Sequence, residues 1–552
     1  MLKICGILLT CTLLIGAVGC GGGSSATPTP TPPLNPPTVS ATSTTVPIGT
    51  TRLFTATNFS GAVTWSITPA VGTIDTNGLY HAPASFPSPN TFTVTATAGT
   101  QTASVGASVV FPNDNAGPQT IPVKLGTSGG NVNDIGATVC CIGTMGSLWT
   151  RADLVQPVIL SNNHVLDRSS QGSAGEGVRQ PGQSACFGSG TTIANLTQAA
   201  ALAPAGTAQG RTGASPSNTD SAIAQIVPGT VDMAGTILDL GPSNSTSIAA
   251  APPSSTLATA TLGMAVSKSG RTTGLTCSTV SSINTSVQVA YETSCGSNVT
   301  AFNATYTGQV MINGGSFSAG GDSGSLVVTT ATARPVALLY GGSTTDTVAN
   351  PIQDVITALS SGVNTLTPVS GNPDHAVSCA PTATGGPQLN GTASATVPLS
   401  APERQRVTAV HQRHAGALMQ DAAVSSVMVG ASADSPGEGA LVIHLSRAAN
   451  APIPAVMDGV RTRVVYDDGS GIVQPSIGQV QIDHATAVKE AHVADLMSQP
   501  GIQGVGVAIS GDNPAETAVS IYVVEGVSHP VIPPVIDGIR TKIFSGTRFK
   551  AF

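Results

Sequence analysis

Ser318-Ala319-Gly320-Gly321-Asp322-Ser323-Gly324-Ser325-Leu326-Val327-Val328 is the stretch around which this chain is organised. Its glycines let backbone N–H groups crowd a tight turn, and the apolar run that follows reads as a strand. One hydroxyl, that of Ser323, is thereby lifted above a ring of donors, as acyl transfer requires of a nucleophile. A serine hydroxyl is a poor nucleophile at neutral pH unless an imidazole takes its proton and a carboxylate fixes the tautomer of that imidazole.

Of the nine histidines only His164 lies between residues 126 and 368, at the end of the apolar run Pro157-Val158-Ile159-Leu160-Ser161-Asn162-Asn163-His164, so a base for Ser323 has to be His164. The acids between it and Ser323, apart from Asp322, are Asp167, Glu176, Asp220, Asp232, Asp239 and Glu292. Asp220 opens the apolar run Ser221-Ala222-Ile223-Ala224-Gln225-Ile226, where a carboxylate can be buried against an imidazole, whereas Asp167 is too near His164 in sequence to reach round the ring. Asp232 and Asp239 stay open as alternatives.

The Gly-Asp-Ser-Gly-Ser form of residues 321–325 and the order His164, Asp220, Ser323 resemble the chymotrypsin-fold (trypsin-like) serine peptidases of the bacterial branch. Val266-Ser267-Lys268-Ser269-Gly270-Arg271-Thr272-Thr273-Gly274-Leu275-Thr276-Cys277 is similar to a segment of the streptogrisin and α-lytic proteases. Ser161-Asn162-Asn163-His164, with Tyr340-Gly341-Gly342 and Ala349-Asn350-Pro351-Ile352, resembles plant narrow-leaf-type peptidases and their bacterial kin. The resemblance implies two six-stranded β-barrels over residues 126–368 and an oxyanion hole from the N–H groups of Gly321 and Ser323. It also implies an internal cation, Lys268 or Arg271, for Asp322. The family's Thr-Ala-Ala-His-Cys is Ser-Asn-Asn-His-Val here, so the disulfide beside the base is absent. Phe317, six positions before Ser323, and the 340–342 wall suggest a pocket for an uncharged, small or medium apolar residue.

The 552 residues are too many for one core, and 63 glycines with 39 prolines favour strands and turns. Charged residues make up only 9%, net charge is −7 and no Lys/Arg-rich run occurs, which argues against nucleic acid as a partner. Met1-Leu2-Lys3 and the apolar run to Val18 form an export signal, and Ala17-Val18-Gly19-Cys20 resembles a bacterial lipobox, making residues 1–20 a lipoprotein signal with Cys20 the lipidated residue. With glycine at 21, the expected location is the outer membrane or cell surface. Cys140, Cys141, Cys186, Cys277, Cys295 and Cys379 form no metal-binding pattern, so disulfides are expected, with Cys277 bridged to Cys295 and the other partners open. Neither a metal nor a cofactor is called for.

Residues 21–37 read as a Pro/Thr-rich tether. Residues 38–111 alternate apolar and polar positions in short runs, the pattern of a small β-sandwich with Trp65 as its buried anchor, and VTWSITPAVGTIDTNGLYHAPASFPSP, residues 63–89, resembles bacterial Ig-like domains of the second group. Residues 369–400 read as linker. Beyond them 409–419 matches 487–497, and 453–462 matches 532–541, with offsets that agree within one residue, so 401–552 is expected to be a duplicated α+β domain. The fold class is therefore multidomain and mostly β. The expected function is a serine endopeptidase acting on protein or peptide, and the competing class is a catalytically silent surface binding or adhesion lipoprotein.

Overall fold

The computed structural model describes residues 35–85, 87, 89–110, 115–134, 142–182, 190–202, 211–244, 246–292, 299–369, 371–379, 398–446, 453–467 and 477–551. The signal, Cys20, Cys140, Cys141, Cys186 and Cys295 lie outside these residues. The molecule is multidomain and mostly β, built from curled sheets.

Residues 38–110 form two four-stranded sheets, one from Thr38–Ala41, Thr51–Thr57, Leu79–His81 and Thr73–Ile74, the other from Thr45–Pro47, Gln101–Val110, Thr91–Ala98 and Thr64–Thr68. Along Thr91–Ala98 every second side chain is buried, the two-residue period of a strand with one wet face. The buried anchor is Tyr80, not Trp65. Tyr80 stacks on Phe92 at 4.5 Å and donates its hydroxyl to the Val71 carbonyl at 2.8 Å, which satisfies its polar end inside the core. Trp65 is half-buried and lies over Gly78, whose positive φ and lack of a Cβ make room for the indole.

The next unit is an eight-stranded sheet in the order Gly143–Met145, Thr127–Asn131, Gly177–Gln180, Thr191–Ala199, Ala222–Ile226, Val158–Ser161, Ser147–Thr150 and Thr367–Pro368. The expectation of six strands fails on two counts. Gly146, beside which the Gly324 carbonyl sits where a Cβ would be, separates Gly143–Met145 from Ser147–Thr150, and the short 367–368 piece adds to the edge. Its core is aliphatic, with Leu148, Ile159, Leu160, Val178, Ile193 and Ile223 around Trp149.

The second barrel does close with six strands: Thr300–Asn313, Asp346–Pro351, Pro335–Gly342, Leu326–Thr329, Ala265–Gly270 and Gly274–Glu292, the last pairing back to the first. Helix Ile352–Leu359 then returns to the eight-stranded unit, burying Ile352, Val355, Ile356 and Leu359 at the 3–4 spacing of one helical face. The stretch expected as linker from 369 is packed as far as Cys379: Val377 is buried, its N–H bonds the Thr330 carbonyl at 2.9 Å, and Cys379 is disulfide-bonded to Cys277. The Cys277–Cys295 expectation is thus corrected. Cys277 faces Ser267, whose hydroxyl also meets Thr330 and Cys379, on the side where 371–379 docks, so its partner comes from 102 residues away.

Two units with the same order of elements follow. Helix Ala401–Leu418 and strands Val424–Ala431, Gly439–Ser446, Val456–Met457 and Val460–Asp467 match helix Gln479–Ser498 and strands Ile502–Ile509, Thr517–Val524, Val535–Ile536 and Ile539–Gly546, with the same strand order and directions. They meet reciprocally: Arg461 donates to the Thr541 carbonyl at 2.9 Å and Arg540 to the Thr462 carbonyl at 2.8 Å. Ser432 bonds Asp512 and Ser510 bonds Asp434 in the same crossed manner. The second unit is also fused to the barrel, its strand Ile502–Ile509 pairing antiparallel with Gly274–Glu292. Gly506 permits that approach, since a Cβ there would lie 2.3 Å from the Thr285 hydroxyl.

Candidate active site

Three sequence-distant pieces converge where the eight-stranded sheet meets the six-stranded barrel. Strand Val158–Ser161, buried at all four positions, runs into the short helix Asn163–Leu166 that carries His164. It pairs antiparallel with Ala222–Ile226 with Ser161 opposite Ala222, so the residues just beyond that pair, His164 and Asp220, are carried to the same end of the sheet. His164 Nδ1 lies 2.6 Å from Asp220 Oδ2, and the His164 N–H donates to Asp220 Oδ1 at 3.2 Å. Asp220 has no solvent exposure. Asp232 instead accepts the N–H of Ala234 in its own turn at 3.1 Å.

A buried carboxylate is costly unless its lone pairs are met. The Tyr291 hydroxyl donates to Asp220 Oδ2 at 2.9 Å and is 2.6 Å from the Tyr306 hydroxyl. Burial, with the Asp220 charge beside it, pushes the Tyr291 phenol well above its usual range, so it stays a neutral donor. The Asp220 backbone is clamped as well: its N–H donates to Asn350 Oδ1 at 2.9 Å, and Asn162 Nδ2 donates to its carbonyl at 2.7 Å. Tyr291, Tyr306, Asn162 and Asn350 were not singled out for this role from the sequence. The available signal is that three of the chain's six tyrosines, at 291, 306 and 340, fall in one otherwise aromatic-poor segment.

Among the described residues no disulfide adjoins the helix bearing His164, and amides hold it. Asn163 Nδ2 donates to the Ala200 carbonyl at 2.7 Å, and Asn131 Nδ2 to the Leu166 carbonyl at 2.7 Å. Near the imidazole, burial pushes Asp134 up to about 6, opposed by the charges of Arg168 and His164.

Ser323 enters from the second barrel, two residues before Ser325 and the strand Leu326–Thr329. Its carbonyl accepts the Thr144 N–H of the eight-stranded sheet at 2.7 Å, which ties the nucleophile loop across the seam. Asp322 is wholly buried and lies 3.5 Å from Lys268, itself wholly buried. Asp322 also accepts from the N–H groups of Thr272 (2.8 Å), Thr273 (3.2 Å) and Ala319 (3.0 Å) and from the Thr273 hydroxyl (2.7 Å). Burial lowers the Lys268 ammonium's proton affinity and the Asp322 charge opposes that shift. Of the two cations expected for Asp322, Lys268 is the one in place, while Arg271 donates to the Thr272 hydroxyl at 3.1 Å.

This network shapes the turn. The Thr272 hydroxyl donates to the Gly320 carbonyl at 2.7 Å, and a trans peptide then points the Gly321 N–H the opposite way, with Gly321 at φ 98°. Among the described residues neither the Gly321 nor the Ser323 N–H has a protein acceptor. Two donors are therefore available beside the Ser323 hydroxyl. That hydroxyl donates to the Tyr340 carbonyl at 3.1 Å, and Ser323 has no solvent exposure. Phe317 and Tyr340 do not form the pocket wall read from the sequence: the Phe317 ring lies in the barrel core 5.8 Å from the Lys268 ammonium, and the Tyr340 ring packs on Tyr306 at 5.1 Å.

Solved structures to which part of the chain is similar include bacterial serine proteases. A glutamic acid-specific serine protease that uses a histidine triad in substrate binding matches at TM-score 0.28 and 19% identity, over 44% of this chain and 100% of its own. Thermobifida fusca protease A matches at TM-score 0.27 and 18% identity, over 44% and 98%. A Nocardiopsis protease matches at TM-score 0.26 and 17% identity, over 39% and 89%. No family model and no curated protein matches the sequence.

Proposed function

We propose that the chain is a serine endopeptidase in which Ser323 is the nucleophile, His164 the base and Asp220 the residue that orients the imidazole. The observation that carries the proposal is the 2.6 Å contact between His164 Nδ1 and a carboxylate with no solvent exposure, at the seam where Ser323 emerges. With its Nδ1–H committed to Asp220, the imidazole presents Nε2 as an acceptor. The mechanism requires the Ser323 hydroxyl to leave the Tyr340 carbonyl, which it meets at 3.1 Å, and turn to that nitrogen. Ser323 Oγ then adds to the scissile carbonyl as its proton passes to His164, and the Gly321 and Ser323 N–H groups take up the oxyanion. His164 returns the proton to the departing amine, leaving an acyl-enzyme that water hydrolyses by the same route in reverse order. Tyr291 acts through Asp220 and is a positioning residue.

The proposal extends to the leader: residues 1–20 direct export, and Cys20 carries a lipid that anchors the chain at a membrane surface. A second reading, a catalytically silent binding module, is favoured by the Ser323 hydroxyl's bond to Tyr340 and by the absence of exposure at Ser323. Incubation with a fluorophosphonate and peptide mapping separates the two. An adduct on Ser323 supports the peptidase, and a folded protein without one supports the binding module.

A further inference from the structure

We infer that the chain's own segment 549–551 occupies the peptide-binding edge beside Ser323 and holds the site closed, an inference that rests on the peptidase reading above. Strand Pro335–Gly342 has two sides. One pairs with Asp346–Pro351 along its whole length, from Ala337 opposite Pro351 to Gly342 opposite Thr347. The other pairs with Leu326–Thr329 only as far as Leu338 opposite Leu326, followed by the exchange of backbone hydrogen bonds among Gly324, Ser325 and Leu339. Beyond that point the lane would be open, an unpaired row of backbone donors and acceptors leading away from Ser323.

That lane is filled. Lys550–Ala551 pairs antiparallel with it, Ala551 opposite Gly341 and Lys550 opposite Gly342. The segment therefore lies end to end with the strand that follows Ser323, and its N-to-C direction runs toward Ser323. Between the two, at Tyr340, the strand bulges, and the Tyr340 carbonyl takes the Ser323 hydroxyl. An extended peptide adding to a sheet edge is a general mode of recognition. Here the lane ends at the nucleophile, so the segment holds the backbone groups that an extended substrate would need.

The segment is anchored rather than laid on loosely. The Phe549 ring is buried among Tyr522, Tyr340 and Tyr306, its N–H donates to Gln503 Oε1 at 3.0 Å, and its carbonyl accepts the Ala290 N–H at 3.0 Å. Lys550 lies 3.6 Å from Glu292, and Thr547 exchanges hydrogen bonds with Thr344. Gly341 has to be glycine for this, since a Cβ there would stand 2.4 Å from the Lys550 carbonyl. The second of the two units, fused to the barrel through Ile502–Ile509, is the scaffold that delivers the segment.

The test compares the full chain with a chain ending at Phe549, which keeps the buried anchor, and with Lys550→Pro, which removes an N–H from the paired strand. Fluorophosphonate labelling of Ser323 is expected to be at least about tenfold faster in both variants, because only the undocked fraction of the full chain can react. Equal rates in folded proteins overturn the inference. Amide exchange over residues 340–343, measured in a Ser323→Ala background, is expected to quicken when the chain ends at Phe549, and unchanged exchange overturns the docking whatever the labelling shows. Failure of the peptidase reading is distinguishable: no chain labels, yet exchange still reports whether the segment holds the edge.

Discussion

Replacing Lys268 and Asp322 one at a time should expose an asymmetry that follows from their partners. Both side chains are without solvent exposure and 3.5 Å apart, so salt does not screen them. Lys268→Met removes a cation but leaves Asp322 with four donors, from Thr272, Thr273 twice and Ala319. The expected cost is at the lower end for a broken buried pair, about 3 kcal/mol. Asp322→Ala strands those four donors together with an ammonium whose other partners are the Thr273 hydroxyl and the Gly274 carbonyl. Orphaned donors in the interior cost roughly 1–3 kcal/mol each before relaxation, so a total of at least about 5 kcal/mol is expected. The double variant Asp322→Ala/Lys268→Met should cost less than the sum of its parts, since the two act as one unit. Urea unfolding of the four proteins reads the stabilities, and fluorophosphonate labelling of Ser323 reads the turn. A Lys268→Met protein within about 0.5 kcal/mol of the parent, or an Asp322→Ala protein no worse than Lys268→Met, would refute the reasoning.

Tyr291→Phe deletes the phenol that bonds Asp220 at 2.9 Å, and kcat should fall about tenfold with KM little changed, because a hydrogen bond to a buried charge contributes roughly 1.5–3 kcal/mol. A change confined to KM would contradict a positioning role. In the second of the two C-terminal units, burial and the neighbouring Asp434 carboxylate push Asp512 up to about 6. A carboxyl raised in the fold contributes stability that is full below the unfolded value and lost as pH rises through the folded one. The contact between the units should thus weaken between pH 4 and 7 by on the order of 2 kcal/mol, read as faster amide exchange in residues 460–466, and Asp512→Asn should flatten the slope. Exchange that slows over the same range would count against it. Cys20→Ser should move the exported chain from the membrane to the soluble fraction or leave the precursor uncleaved, and unchanged fractionation and lipid labelling would count against a lipid at Cys20.

The contact between His164 and Asp220 was legible because each residue ends or opens an apolar run, and adjacent antiparallel strands bring such ends together. Lys268 was legible only as one of two cations, since choosing it over Arg271 depends on which side of a hairpin faces the barrel. Less local features escaped. The tyrosines behind Asp220 carry no charge and stand 71 residues or more from it, so spacing says nothing of their role. Cys277 has a nearer partner in sequence at Cys295, but the packing of Val377 against Thr330 selects Cys379. Trp65 was the obvious anchor by size, yet Tyr80 sits deeper because the Val71 carbonyl meets its hydroxyl. The matched residues at 409–419 and 487–497, and at 453–462 and 532–541, fall on elements that follow the same order in both units. The pairing of one unit with the barrel was not legible, because edge-to-edge pairing uses backbone groups that every residue has, and its traces in the strand are the glycines at 504 and 506.

Activation of Ser323 by His164 is read from mass analysis of the fluorophosphonate-treated chain, in its full form and ending at Phe549. The account predicts one adduct, mapped to Ser323, absent in Ser323→Ala and slowed by on the order of a thousandfold or more in His164→Ala. Folded protein that takes no adduct in either form, or an adduct that forms equally fast without His164, would contradict it.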